Sequence, residues 1–328
     1  MTSKIIEAAQ KSLAGITLKS DEIVSLLDIT IGSTEDIELR EIAKKVALEK
    51  TNKNAYLWCA VGVDFVPCPM NCKFCSFGEK WNLIKENRHV SETELIDDIK
   101  RYVNGSASYI VLRTTEFYNI DKLLSFIPMI RNRVPGEYKI ILNTGELDET
   151  MCDKLYDGGV YGIYHALRLR ESIDTPFSRY KRIETMKNVS NSKLKLISLV
   201  EPIGPEHSNE EIADAFLNII DCKAFMSGVM ARFPVKGTPF GDTKMINAEK
   251  IAHIVAVLRL SGGDMVKDIC SYPAADIVIN SGANVTVVEA GAIPRDKNYS
   301  ENDWKFGDTE IAKNKFINAG YKISYVRD

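Results

Sequence analysis

From Tyr56 to Val288 the chain alternates between short, β-branched apolar runs and helical patterns. The runs are Tyr56–Val66, Tyr109–Leu112, Lys139–Leu142, Gly162–Leu167, Leu194–Val200, Phe225–Met230, Met265–Ile269 and Val285–Val288. Between them, Ser91-Glu92-Thr93-Glu94 and Ser208-Asn209-Glu210-Glu211 read as capping boxes that open helices. Ile251, Ile254, Val255 and Leu258 form the stripe of a buried helix face, stopped by Gly262-Gly263. Eight strand candidates, each followed by a helix candidate, predict an α/β fold: a (β/α)8 TIM-type barrel, full or partly open. A doubly wound sheet is the competing solution, but no Gly-rich dinucleotide turn follows the first strand.

The first fifty-odd residues read differently. Ile5, Ile6, Ala9 and Leu13 share one helical face, as do Ile37, Ile42, Ala43 and Ala47, and Ser33 before Glu35-Asp36 suits a helix N-terminus. The expected organisation is a helical extension over 1–54, packed outside the barrel or capping its bottom, and a barrel domain over 55–328. With 45% hydrophobic residues the chain has ample material for a core. Lys and Arg number 42 against 45 Asp and Glu, a net charge of −3 that recommends neither nucleic acid nor an anionic membrane as partner. No secretory signal and no apolar run of about 20 residues is present, so a cytoplasmic protein is expected.

Seven cysteines are too few and too unevenly placed for a disulfide scaffold. Three of them, Cys68, Cys72 and Cys75, form a Cys-x3-Cys-x2-Cys loop just after the first predicted strand, which in a barrel is the active-site face. Thiolates suit iron–sulfur clusters and zinc. Structural zinc needs four closed ligands, but Cys59 lies back in the strand and His89 stands fourteen residues past Cys75. Three thiolates would leave one iron of a [4Fe–4S] cluster open to a small molecule. A partial zinc knuckle, or a non-catalytic electron-transfer module, is the plainer alternative.

Cys68-x3-Cys72-x-Phe74-Cys75 resembles the signature of the radical S-adenosylmethionine (SAM) superfamily. The resemblance implies that the three cysteines hold a [4Fe–4S] cluster whose open iron chelates SAM. Reductive cleavage there yields a 5′-deoxyadenosyl radical that abstracts hydrogen from a small-molecule substrate. It also implies an electron donor of the reduced flavodoxin or ferredoxin type. Ala231–Pro239 and Ser281-Gly282-Ala283-Asn284 are similar to segments of the biotin-synthase-like branch, which implies a small polar metabolite, amino-acid-derived or a cofactor precursor, as substrate.

On that resemblance Thr114-Thr115-Glu116 takes the place of a Gly-Gly-Glu turn that meets the methionine amino group, keeping the acid and losing both glycines. Thr115 and Glu116 are therefore cofactor-binding candidates. Phe74 offers its backbone to the adenine, and the Glu201–Glu206 loop, including Ile203, lies along it. His165 to Arg168 fall at the ribose site, with Ala166 and Arg168 in place of polar and acidic residues. Either Arg179 or Arg182 meets the methionine carboxylate. Biotin synthase holds a second, sulfur-donating cluster by cysteines on its second, third and fifth strands. Here those places read Ile110–Leu112, Ile140–Leu142 and Ile197–Ser198.

Cys270 ends the predicted seventh strand and is either a radical quencher, a ligand of a sulfur-inserting auxiliary cluster, or a buried hydrophobe. Cys152 and Cys222 read as structural. Arg113, Asn143, Arg232 and Glu289, with Glu146, Arg170 and Lys236, lie at or past strand ends, where a barrel gathers substrate contacts. Paired Arg and Glu there point to a zwitterionic or carboxylate-bearing substrate. The polar run Arg295–Lys305 reads as a solvated loop or a lid.

Overall fold

A computed structural model describes residues 3–289, 292–293 and 308–325. Eight parallel strands close into a barrel: Asn54–Gly62, Tyr109–Arg113, Lys139–Asn143, Gly162–Tyr164, Lys195–Ile197, Met226–Ala231, Asp268–Tyr272 and Val285–Glu289. Each pairs with the next, and the eighth pairs with the first through the register Tyr56↔Val285 to Ala60↔Glu289. The barrel is closed, and the doubly wound alternative falls.

Boundaries moved where tertiary contacts overrode local pattern. The seventh strand begins three residues later than its apolar run implies, because Gly262 to Lys267 serve as the turn out of the preceding helix and leave Met265 exposed. Cys270 is therefore the middle residue of that strand, not its end. The fifth strand breaks after Ile197, and Val200–Ile203 continues it beside the sixth. Asp64–Phe65, read as the tail of the first strand, pairs antiparallel with Arg88–His89 instead.

Helices Ser3–Leu13, Ser20–Leu27 and Thr34–Lys50 pack outside the barrel, against helices Asn209–Asp221 and Ala248–Ser261. Ser33 caps the third of them, accepting the Asp36 N–H at 3.2 Å. His253 bridges the layers, with one ring nitrogen 2.8 Å from Asp36 Oδ1 and the other 3.1 Å from the Leu27 carbonyl. Helix Ala248–Ser261 is thus covered on both sides, and every residue from Ile251 to Ser261 is buried. A single apolar stripe understates such a helix.

Apolar side chains form two layers. One fills the space between strands and helices, and the other, with Trp58, Tyr109, Ile141, Tyr164, Ile197 and Cys270, fills the barrel itself. At the bottom, Lys322–Ile323 pairs with Asn54–Ala55. Beside it Arg259, Asn284 and Asp268 form a buried polar staple. The Ser281–Asn284 motif belongs to that end of the barrel, opposite the cysteines.

Candidate active site

The cysteine loop is fastened at its ends and its middle. The Cys68 N–H donates to the Phe77 carbonyl at 2.6 Å, and Glu79 N–H returns to the Cys68 carbonyl at 3.1 Å. Within it, Cys75 N–H donates to the Cys72 carbonyl at 2.9 Å. Asn71 takes the left-handed backbone (φ 51°) that Asn tolerates, and its side-chain oxygen accepts the Lys80 N–H at 2.8 Å. Lys73 is clamped from outside by Asp174, through its N–H at 3.0 Å and its ammonium at 2.9 Å. Phe240 N–H donates to the Lys73 carbonyl at 3.2 Å.

None of the three is in a disulfide; Cys72 is buried and Cys68 and Cys75 are half-buried. Burial pushes the Cys72 thiol up to about 12 and raises Cys68 as well, and the thiols raise one another's values by mutual repulsion. Three soft ligands on one short loop fit a cationic iron–sulfur group. Cys59 is no fourth ligand, since it is fully buried in the layer between strands and helices.

The turn after the second strand reaches this loop. Thr115 N–H donates to Asp64 Oδ1 at 2.7 Å and its hydroxyl to Asp64 Oδ2. Glu116 pairs with Arg182 at 3.3 Å. Arg182 is 1% exposed, lies 3.7 Å over the Phe177 ring and stands 3.9 Å from Glu146. Its Nη1 is 3.2 Å from His165 Nε2. Guanidinium only donates, so His165 accepts at Nε2 and carries its proton at Nδ1. Burial, and then Arg182 and Arg168, hold the ring well below the usual histidine range, so it is neutral. His165 thus props Arg182. Between the two arginines left open by the sequence, Arg182 enters the site and Arg179 is exposed at the helix start.

A cavity of about 190 Å³ opens over the loop, lined by Phe74, Cys75, Trp58, Arg113, Asn143, Tyr164, Arg168, Glu201, Arg232 and Glu289 among others. Its charges are partnered unequally. Arg232 gives both Nη atoms to Glu206, lies 4.2 Å over the Phe240 ring, and occupies the space a Cβ at Gly204 would need. It nevertheless lines the cavity, held in place by that clamp. Glu201 accepts the Tyr164 hydroxyl, and burial raises its carboxyl. Glu289 accepts the Tyr272 hydroxyl at 2.8 Å. Arg168 Nη1 is buried and has no hydrogen-bond partner among the described residues.

Other expected residues lie elsewhere. Ile203 is buried in the strand–helix layer. Arg170 pairs with Glu211 at 2.8 Å, and Lys236 is exposed. Cys270 is fully buried within the barrel and does not line the cavity. Burial raises its thiol. The run Arg295–Lys305 lies outside the described residues. Two site residues went unread in the sequence: Asp64, and Glu171, which accepts the Arg168 N–H at 2.9 Å and the Thr175 hydroxyl. Asp64 had one signal, a lone carboxylate between an apolar strand and the cysteine loop.

No protein-family model matches the chain. It is 26% identical over 255 residues to biotin synthase of Caldicellulosiruptor bescii, covering 71% of this chain and 74% of that protein. With biotin synthase of Aquifex aeolicus it shares 22% identity over 272 residues, 79% of this chain and 80% of that one. The chain is thus similar to biotin synthases and resembles the biotin-synthase-like branch of the radical SAM enzymes. Solved structures show the same fold. Methylornithine synthase (PylB) matches with a TM-score of 0.81 at 15% identity, over 97% of each chain. HydG, a maturase of the [FeFe]-hydrogenase, matches with 0.80 at 12% identity, over 99% of this chain and 77% of its own. Among the described residues, no helix is long and apolar enough to cross a membrane.

Proposed function

We propose that Cys68, Cys72 and Cys75 hold a [4Fe–4S] cluster at which SAM is cleaved, and that the substrate is a small polar metabolite bound in the cavity beside Cys75. The observation that carries this reading is the gathering of three thiols on one fastened loop, whose Cys75 lines the cavity, near the Glu116–Arg182 pair. When bound and reduced, the cluster supplies the electron that splits the sulfonium into methionine and a 5′-deoxyadenosyl radical.

The chain's own residues bind and shield. Glu116 offers a carboxylate to the methionine ammonium, and Arg182, whose Nε is buried and has no hydrogen-bond partner among the described residues, offers a donor to the methionine carboxylate. The Phe74 backbone and the Glu201–Pro202 segment flank the adenine, and Arg168 faces the ribose. Trp58, Tyr164, Phe233 and Tyr272 wall the cavity and exclude water from a radical. Arg113, Asn143 and Glu289 give its far side mixed charge, which suits a zwitterionic or carboxylate-bearing substrate.

Carbon-centred rearrangement or bond formation is favoured over sulfur insertion. At the second, third and fifth strands the barrel interior presents Val111, Ile141 and Ile197, and its thiol among the described residues is Cys270. The reductant is a flavodoxin- or ferredoxin-type carrier, and the cytoplasm, where thiols stay reduced, is the setting.

Anaerobic reconstitution tests the reading. About four irons per chain and 5′-deoxyadenosine released from SAM under reduction are expected. Zinc in place of iron, or a full iron complement without SAM cleavage, would overturn it.

A further inference from the structure

Lys73 stands between Cys72 and Cys75, and three hydrogen bonds meet on it. Its N–H donates to the Asp174 carbonyl at 3.0 Å, and its ammonium to Asp174 Oδ1 at 2.9 Å. Its own carbonyl accepts the Phe240 N–H at 3.2 Å. Asp174 belongs to the loop after the fourth strand and Phe240 to the loop after the sixth. The half of the cysteine loop that carries two thiols is therefore anchored, through one residue, to two distant segments of the barrel rim.

The loop that presents Asp174 is built at a cost. Arg170 and Ser172 both take left-handed backbone (φ 54° and 70°), which is uncommon for residues with a Cβ. Each is held there: Arg170 gives Nε to Glu211 at 2.8 Å and Nη2 to the Glu206 carbonyl at 2.9 Å, and the Ser172 hydroxyl donates to the Phe177 carbonyl at 2.7 Å. Asp174 N–H closes the turn on the Arg170 carbonyl at 3.0 Å. Backbone of this kind persists where its surroundings over-determine it, and such places gather at functional sites. A metal ion does not account for it. Glu206 and His207 approach Asp174, but Gly204 N–H donates to His207 Nδ1 at 2.9 Å, which leaves the ring proton on Nε2 and no lone pair there.

We propose that Lys73 is a positioning residue: pinned by Asp174, it holds the Cys72–Cys75 turn in the shape that grips a cluster, and so governs how long a bound cluster is retained. This rests on the reading of the three thiols given above. Lys73 does not line the cavity, so its effect runs through the loop.

The test uses the reconstituted holoprotein and follows the decay of cluster absorbance after an iron chelator is added, with iron content and the melting temperature of the iron-free protein measured alongside. Lys73→Met removes the ammonium and keeps the stem. Asp174→Ala removes the carboxylate and keeps the carbonyl that accepts the Lys73 N–H. Each variant should lose its cluster roughly threefold faster, the scale of one half-exposed ion pair. The double variant should lose it no faster than either, because the two side chains make a single interaction. Added salt should speed the loss in the unaltered protein toward the rate of the variants and leave theirs unchanged. A residue that served only the fold would lower the melting temperature without that salt dependence.

Full iron content with an unmoved rate of loss in Lys73→Met overturns the inference and leaves the cluster reading intact. Effects of the two single variants that multiply in the double one overturn it as well, since they would separate Lys73 from Asp174. If Asp174→Ala does not fold, the rate in Lys73→Met and its salt dependence decide alone. An unaltered protein that binds no four-iron cluster overturns both readings.

Discussion

Arg182 at the top of the barrel and Arg259 at the bottom are equally buried, at 1% and 2% exposure. They are partnered in opposite ways. Arg259 gives Nε and Nη2 to the Gly282 carbonyl at 3.0 and 2.8 Å, Nη1 to the Lys267 carbonyl, and Nη2 also to Asn284 Oδ1 at 2.8 Å. Asn284 passes the network on, accepting the Ile269 N–H at 2.9 Å and donating to Asp268 Oδ1 at 2.6 Å. Arg182 instead has side-chain partners at 3.2, 3.3 and 3.9 Å and, among the described residues, no hydrogen-bond partner for its Nε. Fixed carbonyls that saturate a guanidinium make a staple between strands. Long contacts to movable side chains, with a donor left over, leave capacity for a ligand. Burial alone does not separate the two roles; saturation does.

The sharpest way to break this comparison is at the cysteines. Cys72→Ala should reduce iron from about four per chain to near none and abolish SAM cleavage, while the melting temperature of the iron-free protein stays within a few degrees. Retained iron would remove Cys72 from the ligand set. At the other end, Arg259→Met should cost on the order of 3 kcal/mol in urea unfolding, because it strands the Gly282 carbonyl in a dry layer and strips Asn284 Oδ1 of its second donor. The surviving folded protein should bind iron normally, and loss of iron there would join the two ends that the comparison separates.

Arg182→Gln should weaken SAM binding to the reconstituted protein by about tenfold or more, measured by equilibrium titration, and lower stability less than Arg259→Met does. Equal stability losses in the two variants would show that Arg182 is a staple too. The smallest effect concerns pH. Burial raises the Asp268 carboxyl above its ordinary 3.8, against an opposing hydrogen bond from Asn284. A carboxyl raised in the folded state contributes stability that is fully present below the unfolded value and is lost as pH rises through the folded one. Asp268→Asn should therefore gain stability relative to the unaltered protein as pH is raised above about 4, read as the difference in melting temperature between them.

Much of the fold was legible because its signals are local. Each strand is short and β-branched, and Ser33, Ser91 and Ser208 cap helices as their spacing implies. Legibility failed where a partner decided the outcome. The seventh strand follows its register with the sixth, Asp268↔Met226 to Tyr272↔Met230, rather than its own apolar run. There Gly228, opposite Cys270, admits the neighbouring carbonyl into space a side chain would fill. At the site, the thiols were readable from spacing within eight residues, whereas Asp64 and Thr115 lie 51 residues apart and carry no mark of each other.

The order of strands and the presence of a three-thiol loop were properties of the amino-acid sequence alone, because a β-branched run and a Cys-x3-Cys-x2-Cys spacing act over a few residues. Which arginine enters the site, which is locked to a glutamate, and which carboxylate steadies the loop were decided only when the barrel closed. Those outcomes depend on distances between strand ends far apart in the chain, and closure alone sets such distances.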